Sequence, residues 1–127
     1  MGELIDAKMI EGGFQEYVLL IEREPAGVVG AITPWNFPAA MPTRKIGPAL
    51  AAGCTVVIKP PSETPLTTLW VADVLQRAGA PAGVVNVITT TKSGDTVSNM
   101  MADDRIATLS FTGSTFVGKM LLHQAAD

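Results

Sequence analysis

Apolar residues fall in short blocks along most of this chain, and the spacing within the blocks alternates between two kinds. Residues 28–33 (VVGAIT), 55–59 (TVVIK), 84–89 (VVNVIT) and 106–111 (IATLSF) are short apolar or β-branched runs between Gly, Pro and polar residues. Each predicts a strand. Between them lie segments of helical character. Residues 42–52 predict a helix closed by Gly53. Residues 65–78 predict the best-defined one: Thr64 suits the N-cap, Pro65 the first helical position and Gly79 the C-terminal cap. Its Val71, Val74, Leu75 and Ala78 share one face. Residues 94–101 predict a weaker helix, and 114–125 a final one with Val117, Leu121 and Ala125 on one face. Strands alternating with helices over short loops predict an α/β fold, a parallel sheet with helical crossovers. Strands apolar on both faces fit, because helices cover both sides of such a sheet. Residues 16–24 (EYVLLIERE) stand outside this rhythm and predict one more strand, off the sheet or reaching a partner.

The 127 residues, 47% of them apolar, suffice for one compact domain and not for two. The net charge of −3 comes without a basic cluster, which argues against a nucleic-acid partner. The longest nearly apolar run, residues 46–58 (IGPALAAGCTVVI), is too short for a bilayer, so no membrane partner is expected. MGELIDAK has no signal-peptide pattern, and Asp6 stands where Gly2 myristoylation needs Ser or Thr. The single cysteine, Cys54, and single histidine, His123, exclude an internal disulfide and a Cys/His zinc site. A reducing, cytoplasmic location is expected; a longer parent could be mitochondrial.

Parallel sheets bind ligands at the carboxyl ends of their strands. The loops there are residues 34–41, 60–64, 90–93 and 112–114. From Gly113, GSTFVGKM falls one residue short of a phosphate loop, which would make this a nucleotidase. Met120 replaces the metal-binding hydroxyl, and the final helix takes in Gly118 and Lys119, so that reading is disfavoured. Ser114 instead offers a hydroxyl and exposed N–H groups at a positive helix end, beside Gly113, which admits a ligand to the backbone. It would serve equally as a plain helix cap. Lys59 ends a strand, placed for a ligand or for solvent at the sheet's rim. In TPWNFP, Pro34 and Pro38 restrict Trp35, Asn36 and Phe37. A rigid Asn36 amide can donate to a developing oxyanion; it can also merely complete a turn.

Three motifs, ITPWNFP, ALAAGCTVVIKP and FTGST, occur in this order, and with them the chain from about Glu24 onward resembles the aldehyde dehydrogenase superfamily. The surrounding PWNFPAAMPTRKIGPALAAGCTVVIKP is similar to the succinate-semialdehyde branch. The resemblance implies a Rossmann-like, NAD(P)-binding domain, here partial, over residues 25–127. Residues 1–24 would be an extension supplying one strand of an oligomerisation hairpin, complete members being homo-oligomers. It implies that Gly113 and Ser114 lie beside the cofactor pyrophosphate, Lys59 at the adenosine ribose, Gly83 beside the adenine and Trp35 along the cofactor cleft. Asn36 would be the oxyanion-hole amide and Arg44 the holder of the substrate carboxylate. In the family a cysteine thiolate attacks the aldehyde, hydride passes to NAD(P)+, and a glutamate-activated water releases the acid. That nucleophile and base lie downstream of FTGST, beyond Asp127, so this chain alone is expected to bind cofactor at most. Cys54 matches a structural position. Many NAD-preferring relatives have glutamate three residues after the lysine; Ser62 stands there, so NADP+ is expected to be tolerated as well as NAD+.

Overall fold

The computed structural model describes residues 24–126. The extra strand expected in EYVLLIERE and the hairpin role lie outside these residues, apart from Glu24. Eight elements follow in strict alternation: β1 (Val28–Ile32), α1 (Ala40–Ala51), β2 (Thr55–Lys59), α2 (Pro65–Arg77), β3 (Val85–Val87), α3 (Ser93–Met101), β4 (Ile106–Phe111) and α4 (Thr115–Gln124). The four strands form one parallel sheet in the order β3-β2-β1-β4. The α/β expectation holds, and each strand falls within its predicted run.

The boundaries moved where a neighbour decided them. β3 keeps three residues of a predicted six because β2, its one neighbour in the sheet, pairs only with Val85 to Val87. α1 begins two residues early, with the Met41 amide donating to Phe37 O at 3.0 Å. Pro42 then sits in the first turn, where a missing N–H costs nothing. Thr64 occupies the N-cap of α2 but makes no capping bond with its side chain. Its hydroxyl is spent on Trp35 O instead.

Alternation along the strands gives the sheet two covered faces. On one, Val29, Ala31, Val56 and Ile58 pack with Ile46 and Ala49 of α1 and Val71 of α2. Each fully buried isoleucine there contributes about 1.5–3 kcal/mol. The buried stripe of α2 is Thr68 and Val71 with the half-buried Leu75; Val74 and Ala78, expected inside, are exposed. On the other face Gly30 makes room for its neighbours. A Cβ there would lie 2.9 Å from Leu109 Cδ1 and 3.4 Å from Met100 Cε. α3 thus closes on β1 and β4 through the absence of a side chain. Beside it the Phe111 ring lies against Gly113 and Gly118, which brings α4 to the same face. Only Leu121 of α4 is buried; Val117 and Ala125 of its predicted apolar face are exposed.

Candidate cofactor and substrate site

The strand order creates the site. From β1 the chain steps outward to β2 and β3, then returns to place β4 on the opposite side of β1. The loops after β1 and β4 must therefore diverge, opening a crevice at their carboxyl ends. In register, Ile32 lies between Lys59 on one side and Phe111 on the other. With neighbouring strands about 4.8 Å apart, the Lys59 and Phe111 backbones stand roughly 10 Å from each other across the sheet edge. The Thr112 amide donates to Ile32 O at 3.1 Å, just where the two loops part.

One wall of the crevice is TPWNFP. Trp35, Asn36 and Phe37 are exposed, Trp35 to 62%. The loop is held from beneath: Thr64 Oγ1 donates to Trp35 O at 3.3 Å. One strand further, Ser62 Oγ donates to Thr90 O at 3.0 Å, joining the loops after β2 and β3. Ser62 itself is exposed at this rim.

The other wall is Gly113 and Ser114. Ser114 is the N-cap of α4, in extended conformation, its Oγ accepting from the Val117 amide at 3.3 Å. The hydroxyl therefore caps the helix, and the positive end of α4 faces the crevice. Gly113 has a reason of its own to be glycine. A Cβ there would fall 2.5 Å from Cζ of the Phe111 ring. Gly118 and Lys119 lie inside α4, with the Gly118 amide donating to Ser114 O at 3.0 Å. In a phosphate loop the residues ahead of the Gly-Lys pair wrap the phosphates, whereas here Thr115 to Val117 are already helical, so the near match to that motif lacks its loop.

Lys59 is the unexpected feature. It is only 5% exposed, so its stem is covered, while its Nζ is not sealed from water. Among the described residues its ammonium has no hydrogen bond and no ion pair. Burial lowers its pKa, while the charge of nearby Glu63 acts in the opposite sense. A partly dehydrated ammonium without a partner is mildly unfavourable. The residues present suit an anionic, hydroxyl-rich group: an unpaired cationic donor and a helix N-terminus flank one crevice.

Arg44 sits exposed on α1, one turn beyond its start, about 6 Å along the axis. Gly83 does not join the group. It precedes β3, at the amino end of the sheet, in a turn with φ +86°. Ile88 lies five positions further on, roughly 16 Å along the strand direction. Its place before VVNV in the sequence already carried that signal. Cys54 is buried at the amino end of β2, on the face away from Lys59. His123 lies exposed in the last turn of α4.

Sequence reasoning passed over Lys45, whose Nζ donates to Ser110 Oγ at 2.8 Å. Burial lowers its pKa as well. It also passed over Thr33 and Thr68, whose buried hydroxyls have no partner among the described residues. No local pattern marks any of the three. A groove of about 510 Å³ lies toward the amino ends of the strands, lined in part by Val28, Thr55, Gly83, Met100 and Arg105. Its charged residues already satisfy each other. Arg105 donates to both carboxylate oxygens of Asp103, which holds that carboxyl down at about 2. Among the described residues no helix is long and apolar enough to cross a membrane, and no three metal-ligating side chains converge.

Known proteins share this sequence and fold. The chain is 49% identical over 125 residues to the NADP(+) succinate-semialdehyde dehydrogenase GabD of Escherichia coli, covering 98% of this chain and 26% of that one. The crystal structure of an E. coli NADP-dependent enzyme superposes with a TM-score of 0.79 at 54% identity, over 81% of this chain and 21% of that one. An NAD-dependent benzaldehyde dehydrogenase of Corynebacterium glutamicum superposes at 0.77 with 40% identity, over 82% and 22%. The chain thus spans about a quarter of the length of these relatives, and they differ in both cofactor and aldehyde. The model of the aldehyde dehydrogenase family matches residues 1–127 without remainder, and with the parallel sheet, the TPWNFP loop and the capped FTGST turn in their places, this chain belongs to that family.

Proposed function

We propose that this chain forms the cofactor-binding half of the site, together with the oxyanion amide, of an NAD(P)+-dependent aldehyde dehydrogenase acting on succinate semialdehyde. The observation that carries the reading is Lys59, whose stem is covered while its ammonium has no protein partner among the described residues, in register with the crevice between β1 and β4. Lys59 would bind the adenosine ribose, and the N-terminus of α4 at Gly113 and Ser114 the pyrophosphate. Trp35 would line the cleft. A bound nicotinamide would supply the acceptor for the hydride that leaves the aldehyde carbon once a nucleophile has added to it. The Asn36 amide donates to the substrate oxygen as it gains charge, and Arg44 takes the distal carboxylate through its guanidinium fork. Gly83, at the wrong end of β3, has no part in this reading.

Cys54 is not the nucleophile. It is buried and faces α1 and α2 at the far end of β2. With no other cysteine in the sequence, the chain alone is expected to bind cofactor without oxidising aldehyde. Residues 1–24 supplying an oligomerisation strand, and a cytoplasmic or mitochondrial location, belong to the same proposal.

Titration with NADP+ tests the reading, followed by Trp35 emission in a Trp70→Phe background. Saturable quenching is expected, with at least about a tenfold loss in affinity for Lys59→Met, one charge-assisted hydrogen bond. Absence of quenching in the unsubstituted chain, or an unchanged Kd in the variant, would defeat it. The same variant carries a stability signature of opposite sign. A lysine whose folded pKa is lowered is destabilising while charged, and that penalty fades as pH rises from the lowered value toward 10.5. Lys59→Met is therefore expected to be the more stable protein at pH 7, with the gap in urea midpoint closing by pH 10.5. Ser62→Glu should separate the cofactors. A carboxylate at this exposed rim repels a 2′-phosphate, so NADP+ should weaken at least tenfold relative to NAD+ in paired titrations.

A further inference from the structure

The face of the sheet under α1 is packed unevenly. α1 rests chiefly on β1 and β2. The core between them draws on β1, β2, β3, α1 and α2, and β4 contributes no side chain to it. Yet β4 leads directly into the Gly113–Ser114 wall, while α1 continues directly from the TPWNFP wall. The β1–β4 ladder joins the strands that lead to these walls, but no apolar side chain of β4 ties it to α1 on this side.

Lys45 reaches past β1 to do so. Its Nζ donates to Ser110 Oγ at 2.8 Å, across 65 residues of sequence. Ser110 pairs with Ala31, one row before the edge row of Lys59, Ile32 and Phe111. Lys45 is half-buried and has no carboxylate partner among the described residues. A charged group held on a neutral hydroxyl is a poor choice for stability alone. We propose that Lys45 is a positioning residue: by bonding Ser110 it clamps α1 and its Asn36 loop onto β4 and its Gly113–Ser114 loop, and so sets the separation of the two walls of the crevice.

The consequence for cofactor binding rests on the function proposed above; the clamp itself does not. Hydrogen exchange read by NMR tests the clamp in this chain. The Met41 amide, bonded to Phe37 O, reports on the first wall, and the Thr112 amide, bonded to Ile32 O, on the second. The Val56 amide, bonded to Val84 O, serves as a reference away from both. In Ser110→Ala and in Lys45→Met, exchange at Met41 and Thr112 is expected to quicken at least tenfold while Val56 is unchanged. Ser110→Thr, which keeps the hydroxyl, should restore both, and the double variant should be no worse than either single one. Unchanged exchange at the two walls overturns the clamp. So does quickening that includes Val56, which would mean general destabilisation, and so does failure of Ser110→Thr to restore.

NADP+ titration adds a second decision. A tenfold weaker Kd in Ser110→Ala, regained in Ser110→Thr, is expected. Weakening by Lys45→Met alone would mean that Lys45 touches the ligand itself, against the proposal. An unsubstituted chain that binds no NADP+ would overturn the proposed function, and the exchange result would still decide the clamp.

Discussion

Replacing Asn36 by alanine is expected to lower kcat for aldehyde oxidation by about 10²–10³-fold, the loss associated with one preorganised oxyanion donor. The measurement needs a complete enzyme, which this chain supplies when it replaces the matching segment of its E. coli relative. At 49% identity the two segments share their packing, so the chimera should fold and turn over. The physical basis is rigidity. Asn36 is exposed, so its amide is available to a substrate. Pro34 and Pro38 restrict the backbone on either side, and Thr64 holds the preceding carbonyl at 3.3 Å. A donor already in place spends nothing on reorganisation as charge develops on the substrate oxygen. The loss should therefore appear in kcat, with the Kd for cofactor unaltered, because Lys59 and the α4 terminus lie on other strands. An alanine variant that kept its kcat, or one that lost cofactor affinity in proportion, would remove Asn36 from the role of oxyanion donor.

The second large effect is on the fold. Ile58→Ala is expected to cost about 2–5 kcal/mol, the lost transfer energy of the removed atoms plus the cavity left behind. Ile58 is fully buried on the central strand pair and belongs to the core with Ile46 and Val71. Against a total stability of about 5–15 kcal/mol, that loss brings the chain near unfolding. Urea denaturation at pH 7 reads it as a lower midpoint with an unchanged slope. Leu66→Ala is the counterpart. Leu66 is 77% exposed on α2, and its loss should fall within about 0.5 kcal/mol of zero. A cost at Leu66 equal to that at Ile58 would show that the buried layer assigned here is not the one that holds the domain together. The comparison also separates neighbours. Ile58 and Lys59 are adjacent and both buried, on opposite faces of β2. Losing the first should weaken the fold; losing the second should strengthen it while weakening cofactor binding.

Much of this was legible in the sequence, and for local reasons. Each helix and strand is a matter of period and punctuation within a dozen residues. TVVIK and IATLSF became strands without a change of boundary. Pro65 began α2, and Ser114 capped α4. Motif order was enough to suggest the family. The sequence alone could not place β4 beside β1, because strand order depends on pairings between segments many tens of residues apart, and local periodicity is silent about them. That order made the crevice. The same limit hid the burial of Lys59, whose stem is covered by neighbours from other elements. It also hid the bond from Lys45 to Ser110, which exists only because β4 pairs beside β1, the strand under α1. Helix geometry removed the phosphate loop, and strand direction put Gly83 at the far end of the sheet. Local chemistry determined which residues could serve a site; the long-range pairing of β1 with β4 decided which of them meet there.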